Sequence, residues 1–101
     1  MRRVIVRYRV REDRAHENVA YVKKVFEALA ASEPAGLRYA TFQAEDGVSF
    51  THIAFLETDD GSNPLSATPA FKEFQAEIKD RCEVPPEATT VELVGSYRAF
   101  N

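Results

Sequence analysis

Apolar residues in this chain keep two different rhythms, and the switch between them lays out the fold. Val4, Val6, Tyr8 and Val10 take every second position near the start, with Ile5, Arg7, Arg9 and Arg11 between them. A period of two is that of a half-buried strand. Ala15, Val19, Val22, Phe26 and Leu29 then recur at spacings of four and three, which is the apolar stripe of a helix. Asp13 is placed to cap that helix and Glu17 suits the positive end of its dipole, while Pro34 and Gly36 stop it. Leu37 to Glu45 predicts a second strand, Asp46-Gly47 a hairpin turn and Ser49 to Glu57 a third strand. Thr58 to Pro64 holds only turn formers and predicts a loop. Thr68 is a good cap and Pro69 a good first helical residue. Phe71, Phe74, Ile78 and Cys82 make the second stripe, with Pro85-Pro86 as its end and Thr89 to Phe100 as the last strand.

Two helices with one apolar stripe each need a surface to cover, so both are expected on one face of a four-stranded antiparallel sheet. Right-handed crossovers then favour the ferredoxin-like βαββαβ arrangement, an α+β fold with the first and third strands central. Once the helices are packed, the other sheet face is left with residues such as Ile5, Phe42, Ile53, Phe55 and Val94 or their alternates. An exposed apolar face of that extent marks an interface or a ligand site.

Composition narrows the class. At 101 residues the chain is expected to be one domain spanning positions 1–101, small enough that association would help its stability. A net charge of −3 argues against a nucleic-acid partner, although Arg2, Arg3, Arg7, Arg9, Arg11 and Arg14 crowd the N-terminal end. An RNA-recognition module shares the element order, but it needs a basic residue where Asp46-Gly47-Val48-Ser49-Phe50 begins with an acid. Cys82 is the sole cysteine, which fits a reducing compartment. Charge interrupts the first residues too soon for a signal peptide, and no apolar run approaches the roughly 20 residues of a membrane span. A cytoplasmic protein without a membrane partner is expected.

The run Thr68-Pro69-Ala70-Phe71-Lys72-Glu73-Phe74, following Phe55-Leu56-Glu57 and a loop, and the closing Val94-Gly95-Ser96-Tyr97 resemble the antibiotic-biosynthesis-monooxygenase-like family. That family belongs to the dimeric α+β barrel superfamily. The resemblance covers the layout of the whole chain and implies two ferredoxin-like units packed sheet to sheet as a homodimer, with a pocket in each between helices and sheet. It implies a cofactor-independent monooxygenase acting on a small aromatic or quinol compound, with a non-catalytic small-ligand-binding or stress-related protein of the same fold as the alternative. Many members carry a His just before the Phe of the second helix, where this chain has Ser66, Ala67 and Thr68; haem-degrading members depend on a Trp, and this chain has none.

The candidate chemistry is sparse. His52, between Phe50 and Ala54 on one strand face, is the candidate general base for a phenol or quinol; its plainer reading is a core histidine satisfied by a neighbour. His16, early in a helix, reads as a surface residue. Tyr8, Tyr39 and Tyr97 are candidate substrate-orienting phenols, against ordinary packing of aromatics on strands. Arg7, with Arg9, is a candidate for an acidic substrate, against salt bridges to Glu57 or Glu92. Cys82 at a helix end is expected to be unreactive. Two distant histidines and one cysteine give no metal set, and no nucleotide or phosphate fingerprint is present, so no cofactor is expected.

Overall fold

The structure, a computed structural model, describes residues 1–99. Strand β1 (Arg2–Val10) is followed by a 3-10 turn at Glu12–Arg14 and helix α1 (Ala15–Ser32). Strands β2 (Leu37–Gln43) and β3 (Ser49–Leu56) form a hairpin, and α2 (Pro69–Ala76), α3 (Ile78–Arg81) and β4 (Cys82–Val91) complete the chain. The sheet is antiparallel in the order β2-β3-β1-β4, so the expected ferredoxin-like arrangement, with the first and third strands central, is the one observed. No helix among the described residues is long and apolar enough to cross a membrane.

The period of two in β1 resolves which face is which. Tyr8 and Val10 are buried together with Val25 of α1 and Phe74 of α2, and Val6 packs against them. Phe50, His52 and Leu56 are the buried residues of β3 on the same side. Ile5, Arg7 and Arg9 point the other way, opposite Ile53, Thr51 and Ser49 of β3. Strand β2 adds Ala40 and Phe42 to this outer face, facing Ile53 and Thr51. Phe42 is 55% exposed and Val84 52%, and no helix covers them.

Several local expectations are corrected. Asp13 does not cap α1: it lies inside the 3-10 turn, and Arg14 takes the cap position without a side-chain hydrogen bond there. Arg14 instead holds Glu17 through its Nε and Nη2 at 2.9 and 2.6 Å. The end of α1 is set by Glu33 in a left-handed conformation, its amide donating to the Leu29 carbonyl. Gly36 follows with φ +76°, and a Cβ there would meet the Thr58 methyl at 2.8 Å, so this return of the chain needs glycine. Thr68 sits at the cap of α2 as expected, but its hydroxyl donates back to the Pro64 carbonyl at 2.9 Å.

The largest correction concerns the second half. Cys82 is the first residue of β4 rather than the last of a helix, and Pro85-Pro86 lies inside that strand. Proline lacks an N–H, which a central strand cannot tolerate, but β4 is an edge strand. The pairing with β1 also shifts register between Arg7 and Arg9 and again before Val10, and such irregularity accommodates residues that cannot join a ladder. The strand ends at Val91, paired with Arg3, because β1 offers almost nothing beyond it. Strands β2 and β3 stop at Gln43 and Leu56, so Glu45 and Glu57 are excluded from them. Val94 and Tyr97 lie beyond β4 and are almost fully exposed, and Phe100 falls outside the described residues.

Candidate functional site

Alternation along three strands brings Tyr8, Tyr39 and His52 to the helix-facing side of the sheet, and α2 with α3 lays Phe71, Phe74 and Ile78 over them, around a cavity of about 90 Å³. The lining is almost wholly apolar apart from the two phenols, the imidazole and Gln75. Aromatic rings dominate it. Phe26 of α1 stacks on Tyr39 with centroids 5.1 Å apart, and Phe74 lies 5.4 Å from His52 and 5.8 Å from Phe71. Tyr8 stacks on Phe50 at 5.5 Å.

His52 is held at both ring nitrogens. The Tyr8 hydroxyl is 2.8 Å from Nε2. On the other side Nδ1 meets the Tyr39 hydroxyl and, at 3.1 Å, the Thr41 hydroxyl. Burial pushes the imidazole down to about 4, because a charged ring in an apolar surround loses its hydration. His52 is therefore neutral at physiological pH. Burial pushes the Tyr8 phenol up, partly offset by the hydrogen bond from Asn18, and it raises Tyr39 to about 12, partly offset by the Thr41 hydroxyl.

The network extends away from the cavity through two residues that sequence reasoning missed. The amide of Asn18, on α1, donates through Nδ2 to the Tyr8 hydroxyl at 2.8 Å. Its Oδ1 accepts from Arg81 Nε at 3.3 Å. Arg81 is fully buried, with Nη2 donating to the Phe74 carbonyl at 2.8 Å and its guanidinium 4.5 Å from the centre of the Tyr21 ring. Both carry a positional signal. Asn18 falls at spacings of three and four from Ala15 and Val22, and Arg81 at three and seven from Ile78 and Phe74, so each occupies a core position of its helical stripe.

The other candidates are not brought to this cavity. Arg7 projects from the opposite sheet face, beside Arg9, Glu87 and Thr89 in an open groove. Arg9 pairs loosely with Glu83 at 3.8 Å, and Glu57 takes Arg38 at 3.0 Å rather than Arg7 or Arg9. Tyr97 lies past the last strand, 82% exposed, because the sheet ends before reaching it. The Cys82 thiol is pushed up by burial, which disfavours a nucleophilic thiolate. Among the described residues no cluster of three or more His, Cys, Asp or Glu side chains is arranged to hold a metal ion.

Comparison with solved structures places this geometry on a known scaffold. An antibiotic biosynthesis monooxygenase superposes with a TM-score of 0.76 at 17% identity, covering 94% of this chain and 100% of that one. Rv0793 from Mycobacterium tuberculosis gives 0.75 at 17% identity, over 94% and 96% of the two chains. SnoaB, a cofactor-independent oxygenase from Streptomyces nogalater, gives 0.70 at 15% identity, over 97% of each. No family model matches the sequence, and no curated relative is significantly similar to it. The chain shares its fold with these solved structures, an antibiotic biosynthesis monooxygenase and a cofactor-independent oxygenase among them, as the layout of its elements suggested.

Proposed function

We propose that the protein is a single-domain, cofactor-independent monooxygenase-like protein that acts on a small aromatic or quinol compound. The observation that carries this reading is a neutral, buried His52 held between two phenols at the wall of a small aromatic cavity. An electron-rich organic anion reacts with oxygen far more readily than its neutral parent, so a site without metal or flavin must control the ionisation of its substrate. One oxygen atom then enters the substrate and the other leaves as water, with the substrate supplying all the electrons. In this reading His52 governs the ionisation, Tyr8 and Tyr39 orient the ring, and the phenylalanines exclude water. SnoaB, a cofactor-independent oxygenase on the same scaffold, supports the reading by fold.

Oxygen uptake with a panel of quinols and anthrone-like phenols tests it. His52→Ala should lower turnover about a hundredfold or more, the contribution expected of a positioned proton-handling group, while leaving the assembly state unchanged. Binding of these compounds with no oxygen uptake by the unaltered protein would replace this reading with that of a small-ligand-binding protein.

We further propose that the protein works as a homodimer through its outer sheet face, in a reducing cytoplasm suited to the lone Cys82. Ile5, Ala40, Phe42, Ile53 and Phe55 lie on that face by strand register, and a second copy would remove them from water. The same face carries Arg7 and Arg9 beside Glu87, so a two-fold axis offers charge complementarity as well. Ile53, paired with Ile5 and Ala40 at the centre of the face, is the residue to test. Ile53→Glu should convert a dimer to a monomer in sedimentation equilibrium at roughly tens of micromolar, where an obligate interface is saturated. A wild-type protein already monomeric there would rule the dimer out.

A further inference from the structure

From the hydrogen-bond polarity of the buried network we infer that Arg81 and Asn18 are positioning residues that lock the proton of neutral His52 onto Nδ1, so that the Tyr39 hydroxyl faces the cavity as a donor and the ligand is taken as an oxyanion, a phenolate or enolate. This rests on the function proposed above and sharpens the part His52 plays in it.

The polarity starts from a group that can only donate. A guanidinium has no acceptor, so the Asn18 atom facing Arg81 Nε must be the carbonyl oxygen. That orientation turns the Asn18 NH2 towards Tyr8, whose oxygen accepts it. The Tyr8 O–H then needs an acceptor, and the one in reach is Nε2 of His52. A neutral imidazole with a bare Nε2 carries its proton on Nδ1, where it donates to Tyr39. The reverse tautomer would give Tyr8 two incoming donors and leave its own O–H buried with nothing to bond, the arrangement that folded proteins avoid.

Tyr39 is where the chain of donors opens to the cavity. Its oxygen receives the Nδ1 proton, and the Thr41 hydroxyl supports it as well. With the Thr41 hydroxyl in the donor role, the Tyr39 O–H is left to point at whatever occupies the cavity, which Tyr39 lines together with Tyr8 and His52. Behind the chain stands a buried charge with no direct ion pair: among the described residues no carboxylate lies within salt-bridge distance of Arg81, Glu17 acts on it only at longer range, and its Nη1 is buried with no hydrogen-bond partner. A buried cation and a file of donors aimed from it towards an apolar cavity form a site organised for negative charge. The weak basicity of the buried imidazole agrees, since it is a poor place to deposit the proton of a phenol. His52 acts from behind Tyr39, as the donor that strengthens it.

Asn18→Asp tests this with little change of shape. The carboxylate would give Arg81 its counter-ion and keep the fold, but it can only accept, so the Tyr8 O–H would turn to it and His52 would have to donate through Nε2. Nitrogen-15 NMR of the imidazole should show Nδ1 protonated and Nε2 bare in the unaltered protein, and the opposite in Asn18→Asp. A proton on Nε2 in the unaltered protein, or one that stays on Nδ1 in the variant, overturns the inference. The second arm uses 4-nitrophenol as the probe, at a pH where the free phenol is mostly protonated. Binding to the unaltered protein should increase the visible phenolate band, and Asn18→Asp should lose that increase. Failure of the phenol to bind, or binding in the neutral form, overturns the oxyanion assignment. Neither arm depends on turnover, so a protein that consumes no oxygen would sink the proposed reaction and leave the tautomer result standing.

Discussion

Acidification from pH 7 to about 4 should destabilise this protein by about 3 kcal/mol through His52 alone. The sign follows from where the proton is welcome. In the unfolded chain the imidazole titrates near its ordinary value of about 6.5, whereas in the folded protein burial holds it down to about 4. Between those two values the unfolded state binds a proton that the native state refuses, so stability falls as pH falls. The contribution is fully present above the upper value and changes no further below the lower one. Carboxylates held low in the fold, such as Glu17 beside Arg14 and Asp46 beneath Ser49, add their own acid sensitivity. The measurement is therefore a difference: urea midpoints from pH 7 to pH 4 for the unaltered protein and for His52→Gln, whose amide can bond both phenols without titrating. The unaltered protein should lose about 3 kcal/mol more than the variant over this range. Parallel curves would mean that native His52 takes up its proton freely, and that it is not sealed between Tyr8 and Tyr39.

How much of this was legible depends on which rhythm a residue belongs to. Tyr8 and His52 share the parity of the buried positions on their strands, and Tyr39 that of the half-buried Leu37 and Thr41, so alternation alone put the first two beside Val6 and Val10 or Phe50 and Ala54. Arg7 has the opposite parity to Tyr8, and a strand of period two had to send it to the other face. The misread segments lie either side of the correctly read Thr89 to Val91, at Cys82 to Pro86 and at Glu92 to Ala99. Pro85-Pro86 is a strong local stop signal, and only the tertiary fact that β4 is an edge strand with a shifted register makes it compatible with a strand. Tyr97 was placed on a strand by its own neighbours, but a strand exists only where a partner offers hydrogen bonds, and β1 begins at Arg2. Asn18 and Arg81 were invisible for another reason. Reading stripes by apolar residues passes over a polar side chain in a core position, although Ala15, Asn18, Val22, Val25 and Leu29 make an equally regular helical line, and it is the one that holds the buried residues of α1. A polar residue in phase with a stripe is costly unless its hydrogen bonds are met inside; here Asn18 and Arg81 bond each other, Tyr8 and the Phe74 carbonyl, and Arg81 Nη1 alone is left without a partner.

Phe74→Ala should cost about 3–5 kcal/mol of stability, the largest effect expected of any single truncation in this core. Phe74 is where the apolar and polar parts of the site meet. Its ring lies against Tyr8, His52 and Phe71 and beneath the Arg81 guanidinium at 5.4 Å, while its carbonyl fixes Arg81 Nη2. Truncation removes the ring contacts but leaves that carbonyl in place, so the loss is one of packing and of a cation–π contact. With a total stability of about 5–15 kcal/mol for a domain of this class, the melting temperature should drop by on the order of 15–30 °C. Phe74→Leu, which keeps most of the volume, should cost less than half as much. The space opened by the alanine adjoins the existing cavity of about 90 Å³, and an apolar void that stays dry can take up a small aromatic guest. Adding toluene should therefore restore several degrees of melting temperature to Phe74→Ala and almost none to Phe74→Leu. Little loss on truncation would show that α2 does not hold the wall of the site. A full loss with no rescue by toluene would instead mean that the helix collapses onto the sheet, closing the cavity in which Tyr39 and His52 are proposed to meet their ligand.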